Sequence, residues 1–137
     1  MNNAFHDILA PFYKEALTVN DTTTPTVVLE RVLADNFESR NGQEIKNKST
    51  LIKQVGFFWQ LIPDLKWEPQ EKVIEDNKCV IRSVATGSPK GSFMGMELDG
   101  SKSFKIDTID IHTVENGQIV HVYHLEDWAT AIRQLKG

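Results

Sequence analysis

Apolar side chains in residues 2–19 recur at helical spacing, with Phe5, Ile8, Leu9, Phe12, Tyr13, Ala16 and Leu17 forming one stripe. Pro11 falls inside it, so the spacing predicts a helix that kinks at Pro11 or starts later than the stripe. Residues 20–24 are a polar break, and Pro25 then fits the first turn of a second helix carrying Val28, Leu29 and Val32 and ending near Asp35 and Asn36. Asn41-Gly42 marks a turn. Ser49 or Thr50 can cap a third helix, with Leu51, Ile52, Val55, Phe58, Trp59 and Ile62 on its buried side and Pro63-Asp64 at its end.

Beyond Pro63 the period changes from helical to alternating. Residues 65–75 and 78–87 flank the hairpin-type turn Asp76-Asn77, residues 87–91 form a loop, and Gly95 and Gly100 bracket another. Residues 102–114 and 118–126 alternate on either side of Glu115-Asn116-Gly117, and a last helix, 127–135, brings Trp128, Ala131, Ile132 and Leu135 to one side. There is no internal repeat, low-complexity tract or linker, so residues 1–137 read as one domain. Helices, then a meander of strands, then a short helix predict an α+β fold with an antiparallel sheet. Long strands beside few helices point to a curved sheet folded over a helix around an internal pocket.

Composition narrows the class of function. The formal charge is −4 and no cluster of Lys or Arg could follow a phosphate backbone, so nucleic acid is not an expected partner. Asp7, Pro11, Lys14 and Glu15 interrupt the N-terminal apolar pattern, which argues against a signal peptide, and no window is apolar enough to span a bilayer. The single cysteine, Cys79, excludes an internal disulfide and a CxxC site, and its alternating context reads as core. A cytoplasmic protein without membrane contact is the expectation.

The candidate chemistry lies in the last hairpin, where Asp110 and His124 sit on opposite arms. A two-residue loop at Asn116-Gly117 sets Asp110 opposite Tyr123 and turns His124 to the other face. A three-residue loop Glu115-Asn116-Gly117, with Gly117 left-handed in a bulge, makes Asp110 and His124 diagonal neighbours on one face. The dipeptide fits either. In the second register one face carries Phe104, Ile106, Thr108, Asp110, His112, Val120, Val122 and His124, and the other carries Ile109, Ile111, Ile119, Tyr123 and Leu125. Composition favours the second face as core, which leaves Asp110 and His124 in solvent.

Other residues offer weaker signals. Phe12, Phe58 and Trp59 could line a cavity, though aromatics on helical stripes are ordinarily plain core, and the same holds for Trp128. His112 could be an auxiliary donor, and Arg82 a cation for an acidic substrate or simply a solvated side chain. His6 and His121 are expected to face solvent, and Asp107 and Glu126 to lie near strand ends in water. His112, His124 and Asp110 could supply three metal ligands on paper. No nucleophile elbow, phosphate loop or Ser-His-Asp order is present.

The run Gly91-Ser92-Phe93-Met94-Gly95-Met96, then Gly100, the strand to His112, Asn116-Gly117-Gln118-Ile119 and Arg133-Gln134-Leu135 resembles the SnoaL-like polyketide cyclases of the NTF2-like cone-shaped α+β superfamily. Ile62-Pro63-Asp64-Leu65 resembles the predicted ester cyclase branch of that group. The resemblance implies an aldol-type ring closure on a polyketide methyl ester without metal or organic cofactor. It implies an acid/base aspartate on the final strand beside a histidine on the preceding one. In this chain the two types are exchanged, with His124 on the final strand and Asp110 on the preceding one.

The resemblance also selects the register in which Asp110 and His124 share a pocket face, with His112, Trp59, Phe58, Phe12 and Arg82 as substrate-binding candidates. The more apolar opposite face is then covered by a second subunit. The expected function is a cyclase, isomerase or lyase using general acid–base chemistry on a hydrophobic carbonyl or ester. The alternative is a non-catalytic module that binds a small hydrophobic molecule or only dimerises.

Overall fold

The computed structural model describes residues 2–137. The N-terminal stripe forms α1 (Asn2–Pro11) and continues from Phe12 to Ala16 as one turn of π-helix, closed by Leu17 N–H donating to the Phe12 carbonyl at 3.0 Å. Pro11 has no N–H to give to the preceding turn, and the ladder widens immediately after it. The kink read from the sequence is this change of helix type. It rotates Phe12 and Tyr13 inward, and both are buried.

Thr24 caps α2 (Pro25–Val32) by accepting from the Val27 N–H, with Pro25 in the first turn as the sequence predicts. The helix stops at Val32, not near Asn36. Leu33 is already extended and opens β1 (Leu33–Asn41), which turns at Gly42 into β2 (Glu44–Asn47). Asn47, rather than Ser49 or Thr50, caps α3 (Lys48–Leu61). Next come the hairpin β3 (Lys66–Glu75) and β4 (Lys78–Gly87), then a separate small hairpin, β5 (Lys90–Phe93) and β6 (Met96–Asp99), where loops were expected. β7 (Phe104–Glu115), β8 (Gln118–Glu126) and α4 (Trp128–Lys136) complete the chain.

The main sheet has the order β2-β1-β8-β7-β4-β3. All neighbours are antiparallel except β1 and β8, which run parallel. The sheet is therefore mixed, because β1, which the sequence did not disclose, inserts beside the last strand. Register shifts in β1, β3 and the β7–β8 pair bend the sheet. Its concave face packs on α1, the π-turn, α2 and α3 around Leu29, Leu33, Ile62, Leu65, Phe104, Ile119 and Leu135. Cys79 is in this core, as expected. No described helix is long and apolar enough to cross a membrane.

β7 alternates from Phe104 to His112, and β8 does so from Val122 onward. Phe104, Ile106, Thr108, Asp110 and His112 are buried on the concave side, while Ile109, Ile111, Tyr123 and Leu125 are exposed on the convex side. The face richer in aliphatic residues is thus the outer one.

Gly87, at the end of β4, faces the core so closely that a Cβ there would meet Ile62 Cγ2 at 2.3 Å and the Phe104 ring at 3.3 Å. Gly87→Ala should destabilise the fold by about 1–3 kcal/mol through overpacking, measured by urea denaturation. Wild-type stability would show that Ile62 moves aside freely.

Candidate active site

The geometry of the last hairpin combines the two readings of its turn. Asn116 and Gly117 both have positive φ (52° and 75°) and close a two-residue loop, with Glu115 opposite Gln118 and Val114 opposite Ile119. The next pair is Thr113 and His121, which leaves Val120 as a bulge residue. That extra residue shifts the pairing by one. Asp110 therefore stands directly opposite His124, rather than opposite Tyr123 or diagonal to it. The three-residue loop that the family resemblance selected is corrected to two residues; the shared face it was needed for is present.

Both residues line a cavity of about 90 Å³ between the sheet and α3. Phe12, Leu17, Leu51, Val55, Phe58, Trp67, Val122 and Trp128 make its wall apolar, and Ser39, Gln54 and Glu126 add polar groups. Phe58, Phe93, Phe104 and Trp128 pack with ring centroids 5.6–6.5 Å apart and close one end. Trp67 is held in the wall by its indole N–H, which donates to Thr108 Oγ1 at 3.0 Å.

Asp110 and His124 each have a separate partner. Asp110 is 4% exposed, and Tyr13 Oη donates to its Oδ2 at 2.6 Å. Burial pushes the Asp110 carboxyl up to about 7; the Tyr13 hydrogen bond pulls it down, the Glu126 charge raises it and His124 lowers it. Tyr13 Oη also lies 2.7 Å from His112 Nε2. The Tyr13 hydroxyl proton is directed at Asp110, so His112 Nε2–H donates to the Tyr13 oxygen. Burial drives His112 down to about 3, which keeps that ring neutral, and its Nδ1 has no partner. Burial and the neighbouring Asp110 raise the Tyr13 phenol well above its ordinary value.

His124 Nδ1 lies 2.6 Å from Glu126 Oε2. Burial pulls its imidazole down, but the hydrogen bond and charge of Glu126, followed by the charge of Asp110, outweigh it, and the net shift is upward. Glu126 is a correction to the sequence reading: its side chain is 8% exposed, under the cavity rather than in water. It is two residues from His124, so strand alternation already placed both on one face.

Of the remaining candidates, Phe12 and Phe58 line the cavity and three others do not. Trp59 donates its indole N–H to the Ala16 carbonyl at 2.8 Å and ties α3 to the π-turn. His112 lies behind Tyr13. Arg82 is on the convex face, paired with Glu71 at 2.6 Å and Asp107 at 3.3 Å. His6 is exposed, and His121 lies on the convex side 3.3 Å from Glu38. Sequence reasoning missed Tyr13, Ser39, Gln54, Trp67 and the cavity-facing role of Trp128. Tyr13 was legible as a core position only; its polar partner comes from a strand 97 residues away. No set of three His, Cys, Asp or Glu among the described residues is arranged to hold a metal ion.

Two tests follow from the electrostatics. Tyr13→Phe removes the hydrogen bond that lowers Asp110, so the carboxyl should titrate above about 7, read by carboxyl ¹³C NMR; an unmoved value would show that the bond is not made in solution. For stability, the unfolded carboxyl titrates near ~3.9 and the folded one at about 7. Between these values the native state keeps a proton that the unfolded chain has lost, so stability falls as pH rises from about 4 to about 7. Asp110→Asn should remove that fall and exceed wild type at pH 7 by up to ~4 kcal/mol, with no excess at pH 4.

Comparison with known proteins agrees with this architecture. No curated protein matches the chain by sequence. A Jannaschia sp. CCS1 structure assigned to the SnoaL-like polyketide cyclases superposes with a TM-score of 0.85 at 14% identity, covering 98% of this chain and 93% of its own. TsrD from Streptomyces laurentii superposes at 0.81 and 19% identity, covering 98% and 96%. A SnoaL-like polyketide cyclase from Agrobacterium tumefaciens superposes at 0.72 and 19% identity, again covering 98% and 96%. At these identities the likeness shows the fold alone. The family model of the SnoaL-like polyketide cyclases matches residues 8–135, and the chain belongs to that family.

Proposed function

We propose that the protein catalyses general acid–base chemistry on a hydrophobic carbonyl or ester compound, as a cyclase, isomerase or lyase whose chemical step uses only its own side chains. The observation that carries this reading is the buried Asp110 carboxyl directly opposite the His124 imidazole at the wall of an apolar cavity. Titratable groups held out of water are costly and concentrate at functional sites.

Asp110, poised at about 7, takes the proton alpha to the substrate carbonyl. The C–H electron pair becomes the enolate, and the oxyanion accepts a hydrogen bond from the His124 imidazolium, which Glu126 helps keep charged. In a ring closure the enolate carbon then attacks a second carbonyl of the same molecule. A carbon–carbon bond forms, the C=O π bond breaks, and the new alkoxide takes the proton held by Asp110. In an isomerisation Asp110 returns the proton to a different carbon. Tyr13 serves by orienting the carboxylate.

The test uses 2-tetralone, a flat apolar ketone, and follows deuterium exchange at its alpha carbon by NMR. The protein should accelerate exchange, and Asp110→Asn should remove about 10²–10⁴-fold of that rate, with His124→Ala also losing most of it. The rate should rise as Asp110 ionises through about 7 and fall as His124 loses its proton, a loss that the upward shift of its imidazole delays. Tetralone binding with no exchange would instead support the non-catalytic binding module, for which the apolar wall is the favourable observation; full exchange by Asp110→Asn would overturn Asp110 as the base.

We also propose that the convex face is covered by a second copy of the chain. Val80, Ile109, Ile111, Tyr123 and Leu125 are exposed together there, while Arg82 beside them is already neutralised by Glu71 and Asp107. Sedimentation should show a wild-type dimer that Ile111→Glu converts to monomer; a wild-type monomer would refute the interface.

A further inference from the structure

Ser39 is 1% exposed, its hydroxyl has no hydrogen-bond partner, and it lines the cavity from β1. The neighbours of Ser39 along β1, Glu38 and Arg40, are less buried and pair with each other at 3.5 Å, so Ser39 is the member of that stretch turned to the concave side. An unsatisfied hydroxyl out of water is destabilising, and an alanine or valine would fill the position without that penalty.

A second orphan provides the contrast. Ser83 Oγ is also buried without a partner, but Ser83 lies in β4 opposite Thr108 and does not line the cavity. The two serines share an unmet hydrogen bond and differ in access to a ligand.

The geometry points to Ser39 as a ligand-binding residue, whose hydroxyl pairs with an oxygen of the substrate remote from the carbon that reacts. The inference rests on reading the cavity as the substrate site. It adds a requirement on that substrate: an oxygen, away from the reacting carbon, that can pair with the Ser39 hydroxyl. Ser39 is opposite Val122 of β8, and Asp110 is opposite His124 on the far side of β8. Two strand spacings and one two-residue step separate Ser39 from Asp110, roughly 10–12 Å between Cα atoms. A ligand that meets both is therefore elongated, with apolar rings against Phe12, Phe58 and Trp67 between its two polar ends. The serine hydroxyl donates to a keto oxygen or accepts from a phenol.

The experiment compares 2-naphthol with naphthalene, two flat probes that differ by one hydroxyl, followed by the indole N–H signals of Trp67 and Trp128 in the cavity wall. In Ser39→Ala the naphthol-to-naphthalene affinity ratio should fall about tenfold from its wild-type value, with naphthalene affinity retained. Ser83→Ala should keep the wild-type ratio. Both variants should melt a few degrees above wild type, because each loses a buried unpaired hydroxyl. A purely structural serine would change stability and leave the ratio alone, as Ser83 should. An unchanged ratio in Ser39→Ala, with both probes still bound, overturns the role of Ser39 and leaves the substrate cavity standing. Failure of both probes to bind wild type overturns the cavity reading as well, and binding of naphthalene alone overturns the role of Ser39.

Discussion

A carboxyl group buried on the concave side of a sheet needs a partner that water would otherwise supply, and for Asp110 that partner is the hydroxyl of Tyr13 at 2.6 Å. Much of the local structure holds that hydroxyl in place. The π-turn after Pro11 turns Tyr13 inward. The Tyr13 carbonyl accepts from the Thr18 hydroxyl, and Thr18 Oγ1 accepts in turn from the Trp67 backbone N–H at the start of β3. Val19 donates to the Leu65 carbonyl, and Trp59 reaches from α3 to the Ala16 carbonyl. The N-terminal segment is thereby tied to a strand and a helix on either side of the residue that supports the acid. His112, forced neutral by burial, holds the phenol from behind.

The second constraint is parity. Side chains on a strand alternate, so one residue more or less between Asp110 and His124 decides whether they share a face. A two-residue turn at Asn116-Gly117 would separate them, and Val120 restores the match by bulging out of the ladder. The turn satisfies the left-handed preferences of Asn and Gly, the bulge satisfies the chemistry, and neither has to compromise. The same parity places the exposed aliphatic residues on the convex side, where composition alone would have expected polar ones.

Much of this was legible in the chain. The first three helices, the β3–β4 and β7–β8 hairpins and the final helix follow from period and turn chemistry, and the α+β class with a curved sheet from the order and length of those elements; the cone shape came from the family resemblance. β1 was not legible: its residues Leu33-Ala34-Asp35-Asn36-Phe37 extend the apolar spacing of α2, and what makes them a strand is the parallel edge of β8, more than 80 residues later. The bulge was invisible for a related reason, since Ile119, Val120 and Val122 are similar in type and only the packing decides which one is left over. At the site, the pair of Asp110 and His124 could be named from the sequence, but the partners could not. Tyr13 looked like one more apolar stripe position. Glu126 was readable by alternation with His124 and was overlooked because it ends its strand.

Those separate partners explain how the exchanged order of carboxylate and imidazole on the two strands remains workable. An acid–base role is set by the environment of a group rather than by the strand that carries it. Burial raises Asp110 from an ordinary carboxylate to about 7, while Glu126 raises His124 above its ordinary value against the opposing effect of its own burial. Asp110 therefore changes charge near neutral pH as an acid made weaker, and His124 is a base made stronger. The apolar wall makes this possible, because it removes the water that would reset both groups to their ordinary values. It also strengthens the attraction of the imidazolium for a developing oxyanion at the same spot. The features that make the cavity expensive to fold, its buried carboxyl and its unpaired polar atoms, are the same features that give it chemistry to perform.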